Sequence, residues 1–246
     1  MGIRWFEKGE LVPAVLRDIE KVEVLLDIGC GIRPQNHVKP IVHICCEPFE
    51  QYVDHLQKEV SGRYDCNFVI LKASWADAVK IFPPKSVDSV FLLDVIEHLE
   101  KEEAARLLKA TEKLAKRQIV IFTPLGFLPQ HHSDGKDAWG LDGGVWQEHR
   151  SGWEPNEFES SWEIYASREF HVADNMGSAR ERAHGAFWAL KTYKLCGFQD
   201  RVDAEKRKLM RMLMTTTSGL KPYEVRIATL LNRGYWGFKK TLRKKK

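Results

Sequence analysis

Two acids and two glycines carry the first chemical signal in this chain. Asp27 is followed by Ile28-Gly29-Cys30-Gly31, and Glu47 stands twenty positions after Asp27. Glycine lets the backbone take angles that other residues avoid and lets a ligand approach the main chain closely. A lone Gly-x-Gly reads equally well as a plain turn. An acid about 20 residues further on, at the tip of the next strand, is the group with which a nucleotide-binding sheet holds a ribose through its two hydroxyls. Glu47, with Pro48 beside it, is therefore the expected ribose ligand.

The departures from the dinucleotide pattern narrow the ligand. Ile32-Arg33-Pro34-Gln35 offers no third glycine, which argues against a pyrophosphate on the helix N-terminus and against a nicotinamide enzyme. Asp27 would crowd a phosphate with like charge but suits a cationic group. A ribose and a cation without a diphosphate describe S-adenosylmethionine, which becomes S-adenosylhomocysteine after methyl transfer. That transfer is an in-line displacement, so a protein has to align an acceptor atom and, for a hydroxyl, remove its proton. Candidate bases are His98, His131, His132 and His149, with Asp94 or Glu97 to orient them. His149 is preferred, beside Arg150 and between Trp146 and Trp153, and His98 follows.

The elements that must position these residues alternate. Apolar runs at 24–28, 41–46, 67–72, 86–93 and 118–122 read as buried parallel strands. Helical spacing covers 8–22, the stretch from Tyr52 to Val60, and 100–116, with Ala104, Leu107, Leu108, Thr111 and Leu114 facing inward. Strands at 162–172 and 185–193 complete the sheet, and Pro155 sits early in a short helix. The expected fold is α/β, a Rossmann-like doubly wound, mostly parallel sheet with a terminal antiparallel hairpin and ligands at the carboxyl ends of the strands.

Asp27-Ile28-Gly29-Cys30-Gly31, Glu47-Pro48-Phe49 and the segment from Val87 to Leu99 resemble, in order, three motifs of the class I S-adenosylmethionine-dependent methyltransferases of type 11. The resemblance covers about the first 125 residues and implies the methyl donor, with Leu93 and Asp94 at the donor site. Relatives place a small residue and an acid against the adenine after the third strand. Here Ser74 takes that position, Trp75 is expected to pack on the adenine plane, and Asp77 is the alternative. The resemblance also implies that the loops at about 123–160 form the acceptor side, where His131, His132, Trp146, Arg150 and Trp153 are the expected substrate contacts.

The acceptor itself is read from exclusions and aromatics. An Asn/Asp-Pro-Pro-Tyr/Phe motif is absent after the fourth strand, where Asp94-Val95-Ile96-Glu97 stands, and there is no Pro-Cys pair. Trp139, Trp146, Trp153, Trp162 and Trp188 fall in the acceptor half, and flat rings beside amide and charged groups suit sugars. Segments 122–127 and 149–153 resemble type 11 enzymes of bacterial surface-polysaccharide functions. The expected activity is O-methylation of a sugar, a glycan or a related small hydroxyl metabolite. The alternative is a catalytically inactive cofactor-binding partner in a glycan-assembly complex.

With 246 residues the chain is long enough for one full α/β domain, expected over 1–200, followed by a helical extension over 201–246. Five cysteines without a Cys-x-x-Cys pair suggest neither a disulfide framework nor a metal site, and the expected compartment is the cytoplasm. Six of the last eight residues are basic, preceded by Tyr235, Trp236 and Phe238. Their charge leaves the rest of the chain slightly acidic, which argues against nucleic acid as a partner. The tail suits peripheral contact with an anionic membrane at its inner face, or a solvated end.

Overall fold

The computed structural model describes residues 2–132, 134–174 and 177–193. The boundary at 200, the helices expected beyond it and the aromatic-basic tail lie outside the described residues. In chain order the elements are β1 (Ile3–Trp5), α1 (Lys8–Leu16), β2 (Val24–Ile28), β3 (Val42–Glu47), α2 (Glu50–Val60), β4 (Asn67–Lys72), α3 (Trp75–Ile81), β5 (Val87–Leu93), a 3-10 turn at Ile96–His98, α4 (Lys101–Leu114), β6 (Ala115–Pro124), short 3-10 turns at Gly144–Trp146 and Pro155–Glu157, β7 (Glu163–Ala173) and β8 (Ala179–Thr192).

The strands form one sheet in the order β1-β7-β8-β6-β5-β2-β3-β4. From β6 to β4 all pairs are parallel, and β8 runs antiparallel to both β6 and β7. This is the doubly wound sheet with a terminal antiparallel hairpin. β2 lies between β3 and β5, so the chain leaves β2 to one side, returns, and continues on the other. A crevice opens outside the strand tips at such a reversal.

Alternation along each strand feeds two cores. On one face Leu26, Val90, Leu92, Ile119 and Ile121 pack with Ala104 and Leu107 of α4, and with Trp153, Phe158 and Trp162. On the other, Leu25, Phe91, Val120 and Trp188 pack against Leu11 and Val15 of α1. Neighbouring strand residues point to opposite faces, which is why an unbroken apolar run is needed where both faces are covered.

Four elements differ from the sequence expectation, one of them α3 (Trp75–Ile81), a helix where none is expected. β1 was not expected; it is a three-residue edge strand parallel to β7, too short to show a pattern. α1 ends at Leu16 rather than near 22, where the chain turns and still buries Ile19 and Val22. β8 begins at Ala179, six positions before the expected start. The extra length carries the hairpin past the sheet, and the register with β7 shifts on both sides of His171, as bulges do where a strand is re-aimed. Among the described residues no helix is long and apolar enough to cross a membrane.

Candidate active site

The turn after β2 is built as its glycines require. Gly29 and Gly31 have φ of +68° and +59°, left-handed values that side chains make costly. Gly29 also donates its N–H to Cys46 O at 2.7 Å, tying the turn to β3. Beyond the turn lies a cavity of about 390 Å³. Asp27, Gly29, Cys30 and Gly31 line one side, Leu93 and Asp94 the next, and His98 and His149 another. Eight of the site residues expected from sequence therefore meet at one space.

Asp27 and Glu47 are both buried, and each is engaged by the protein. Asp27 Oδ2 accepts from Gln35 N at 2.9 Å and lies 3.0 Å from His43 Nε2. Burial is the largest influence on His43 and opposes its charge, but the hydrogen bonds and charges of Asp27 and Cys45 together outweigh it and raise the imidazole to about 9. Asp27 is thus half of a buried ion pair, and its charge is balanced by His43 before any ligand arrives. Glu47 reaches across the turn: Oε2 accepts from Gly31 N at 3.0 Å and Oε1 from Phe49 N at 2.9 Å. Burial pushes its carboxyl up to about 7 against the pull of those two donors.

Glu47 and Pro48 do not line the cavity. The segment 134–147 folds over their side, held by Tyr52, whose hydroxyl donates to Asp137 Oδ2 at 2.6 Å. Trp139 lies on the turn, so close that a Cβ on Gly31 would stand 3.3 Å from its ring.

Four of the expected residues are engaged by the protein's own packing. Ser74 is the N-cap of α3: its Oγ accepts from Asp77 N, and the Asp77 carboxylate returns to Ser74, a capping box that satisfies the free N–H groups of the first turn. Asp77 thus reaches back to Ser74. Trp75 donates from Nε1 to Glu103 Oε1 at 2.9 Å and packs on the core beside α4. Trp153, expected at the acceptor, is buried and donates to Ser151 Oγ at 3.1 Å with Lys101 Nζ over its ring. Trp162 and Trp188 are also core residues, whereas Trp139 and Trp146 are exposed.

His131, His132, Trp146 and Arg150 are not in the cavity wall. His131 is exposed and pairs with Glu148 Oε1 at 2.5 Å, Trp146 stacks on Phe49, and Arg150 donates to Val145 O at 3.2 Å. His132 keeps a buried Nε2 without a partner.

His98 and His149 come together because the 3-10 turn is strapped to the segment that follows the long loop after β6. Arg150 N and Ser151 N both donate to Glu97 O, at 2.7 and 3.1 Å, and Ser151 Oγ donates to Ile96 O at 3.1 Å. The next residue, Gly152, passes close to Phe127, where a Cβ would stand 2.4 Å from Phe127 N. The two rings lie 4.9 Å apart between centroids. His149 Nδ1 faces Leu128 O at 2.6 Å and His98 Nδ1 faces Glu148 O at 3.2 Å. A carbonyl only accepts, so each Nδ1 carries the hydrogen and each Nε2 presents a lone pair. Burial lowers both imidazoles, His98 to about 4, and keeps them neutral near pH 7.

The remaining wall was not named from sequence. It includes Arg33 and Gln35 after the turn, Gln130 and Gln147 in the loops, and His171, Asp174 and Arg180 from the overshooting hairpin. The loop residues fall inside the expected acceptor region, but nothing in a strand-like pattern signals that β7 and β8 overshoot the sheet.

No family model matches the sequence, and no curated protein does. The fold, however, matches solved structures. TehB from Haemophilus influenzae aligns with a TM-score of 0.50 at 16% identity, over 75% of this chain and 62% of TehB. A SAM-dependent methyltransferase from Archaeoglobus fulgidus aligns at 0.45 and 16%, over 75% and 94% of the two chains. Magnesium protoporphyrin IX methyltransferase from Synechocystis, with SAH bound, aligns at 0.46 and 14%, over 75% and 81%. At such identities the likeness is one of fold: this chain has the Rossmann-like fold found in SAM-dependent methyltransferases.

Proposed function

We propose that this protein is an S-adenosylmethionine-dependent methyltransferase acting on an oxygen of a hydroxyl-rich small molecule, a sugar or glycan being the favoured class. The observation that carries the reading is that His149, its Nδ1 engaged by Leu128 O, lines the same cavity as the Gly29–Gly31 turn and Asp94. When bound, S-adenosylmethionine supplies a methyl group on a sulfonium that an acceptor oxygen can displace in line. The residues present fit such a donor: two left-handed glycines leave the main chain open at the strand tip, and Glu47 holds the turn beside it.

In this reading Asp27, Gly29, Gly31, Leu93 and Asp94 hold the donor, and Glu47 takes the ribose hydroxyls once Trp139 withdraws from Gly31. His149 Nε2 accepts the acceptor's hydroxyl proton, while Nδ1–H on Leu128 O fixes the tautomer. Gln130, Gln147, Arg33 and Arg180 supply hydrogen-bonding groups for hydroxyls, and the exposed ring of Trp139 supplies a flat apolar face. The test offers methyl-labelled S-adenosylmethionine with nucleotide sugars and glycans to the protein and to His149→Gln. Transfer is expected to fall by roughly 10²–10⁴-fold in the variant, with little change in acceptor KM. Transfer that is undiminished in a folded His149→Gln would remove the base from this account.

A further inference from the structure

The carboxylate beneath the two histidines has no assigned task. Glu97 is buried to 2% exposure. Its Oε2 accepts from Thr123 Oγ1 at 3.1 Å, but Oε1 has no hydrogen-bond donor. Asp94, three residues earlier and exposed on the cavity wall, places a second carboxyl beside it. No described lysine or arginine is paired with either group. A buried carboxylate with an unpartnered oxygen, as at Glu97, needs a proton or a cation.

A carboxylate oxygen of Glu97 and one ring nitrogen each from His98 and His149 all lie within 4.8 Å of one another. Both Nδ1 atoms are spent on carbonyls, so the nitrogens available are Nε2, with bare lone pairs. Imidazoles oriented by a carbonyl behind the ring are the usual arrangement around a bound metal. Both histidines line the cavity, so water or an acceptor oxygen could complete the coordination. A second grouping, Asp27, His43 and Cys45, is fully buried and already balanced by the Asp27–His43 ion pair. It lacks the open side and the unpartnered carboxylate.

We infer that Glu97, His98 and His149 form a binding site for one divalent first-row transition-metal ion. Two imidazole nitrogens and one carboxylate select ions such as Zn²⁺, Co²⁺, Fe²⁺ or Mn²⁺ over Mg²⁺ and Ca²⁺, which prefer all-oxygen shells. The same lone pairs that accept a proton in the metal-free protein would then coordinate the ion. On the methyl-transfer reading, an ion there would bind the acceptor's hydroxyl and lower its pKa, and would favour acceptors with two adjacent oxygens. The binding claim itself does not depend on that reading.

The test is titration of chelator-stripped full-length protein with Co²⁺, followed by visible absorption and calorimetry and with no donor or acceptor present. One equivalent is expected to bind with a d–d band, and Zn²⁺ to displace it. His98→Gln and His149→Gln are each expected to weaken binding by at least about tenfold, and the double variant to abolish the band. His131→Gln, which alters an exposed histidine, should leave the titration unchanged. Far-UV circular dichroism on each variant, and a rise in Tm with Zn²⁺ for the parent but not the double variant, separate loss of the site from loss of the fold. Absence of a band at millimolar Co²⁺, or a band that survives in the folded double variant, overturns the inference. Either result leaves the donor titration and the methyl-transfer assay free to stand or fall separately.

Discussion

The two sides of the cavity are made in different ways. The side formed by β2 and the turn is local: Asp27 stands near the end of β2, Gly29 and Gly31 follow in the turn, and Glu47 at the tip of the adjacent parallel β3 holds the turn from outside the cavity wall through Gly31 N. The side formed by His98, His149, His171 and Arg180 is assembled from a 3-10 turn, a long loop and an overshooting hairpin. The first side is rigid because the sheet is rigid. The second depends on the straps at Gly152, Ser151 and Lys101, the last donating to Gly152 O at 2.6 Å. A donor common to many proteins fits the first kind of wall, and an acceptor that differs between proteins fits the second.

This contrast can be broken most forcefully at Trp153. If the loop segment around Ser151 and Trp153 is held by core packing, Trp153→Ala should cost about 3–5 kcal/mol, read from denaturant unfolding, whereas Trp146→Ala should change stability little. Equal, small effects would mean that the strap is not what fixes this wall.

A somewhat smaller effect is expected in acid. His98 is held near 4 against an ordinary value of 6.5, so the folded protein disfavours its protonation more than the unfolded chain does. The stability this gives is complete above about 6.5 and is lost as pH falls towards 4, by up to about 3 kcal/mol. His98→Asn should flatten that part of the stability-versus-pH curve, and an unchanged slope would show that His98 is not shielded.

The smallest effect sharpens the other side. Ser74→Ala removes the N-cap of α3 and should cost about 1 kcal/mol without altering donor affinity, measured by thermal unfolding and calorimetry on the same variant. A fall in affinity would return Ser74 to the donor site.

The same contrast explains what could be read from the sequence. β2, β3, β5 and β6 are buried on both faces, so their apolar runs and the acids at their tips are visible in a linear string, and with them Asp27, Glu47 and Asp94. β1 was invisible because three residues at an edge carry no periodicity. The tryptophans misled because burial is a tertiary property: Trp153 and Trp162 look like Trp139 and Trp146 until the cores close over them. His98 and His149 were each named as single bases, but their meeting over Glu97 depends on a loop closure that no local pattern encodes. For that reason a metal site was not expected from cysteine and histidine spacing.

The central claim is that the turn and Glu47 hold S-adenosylmethionine, and calorimetric titration with S-adenosylmethionine and S-adenosylhomocysteine tests it most directly. The parent protein should bind both at one site, Glu47→Gln should lose most of the affinity while keeping its circular dichroism, and Ser74→Ala should bind as the parent does. No binding of either compound, or binding indifferent to Glu47, would contradict the account.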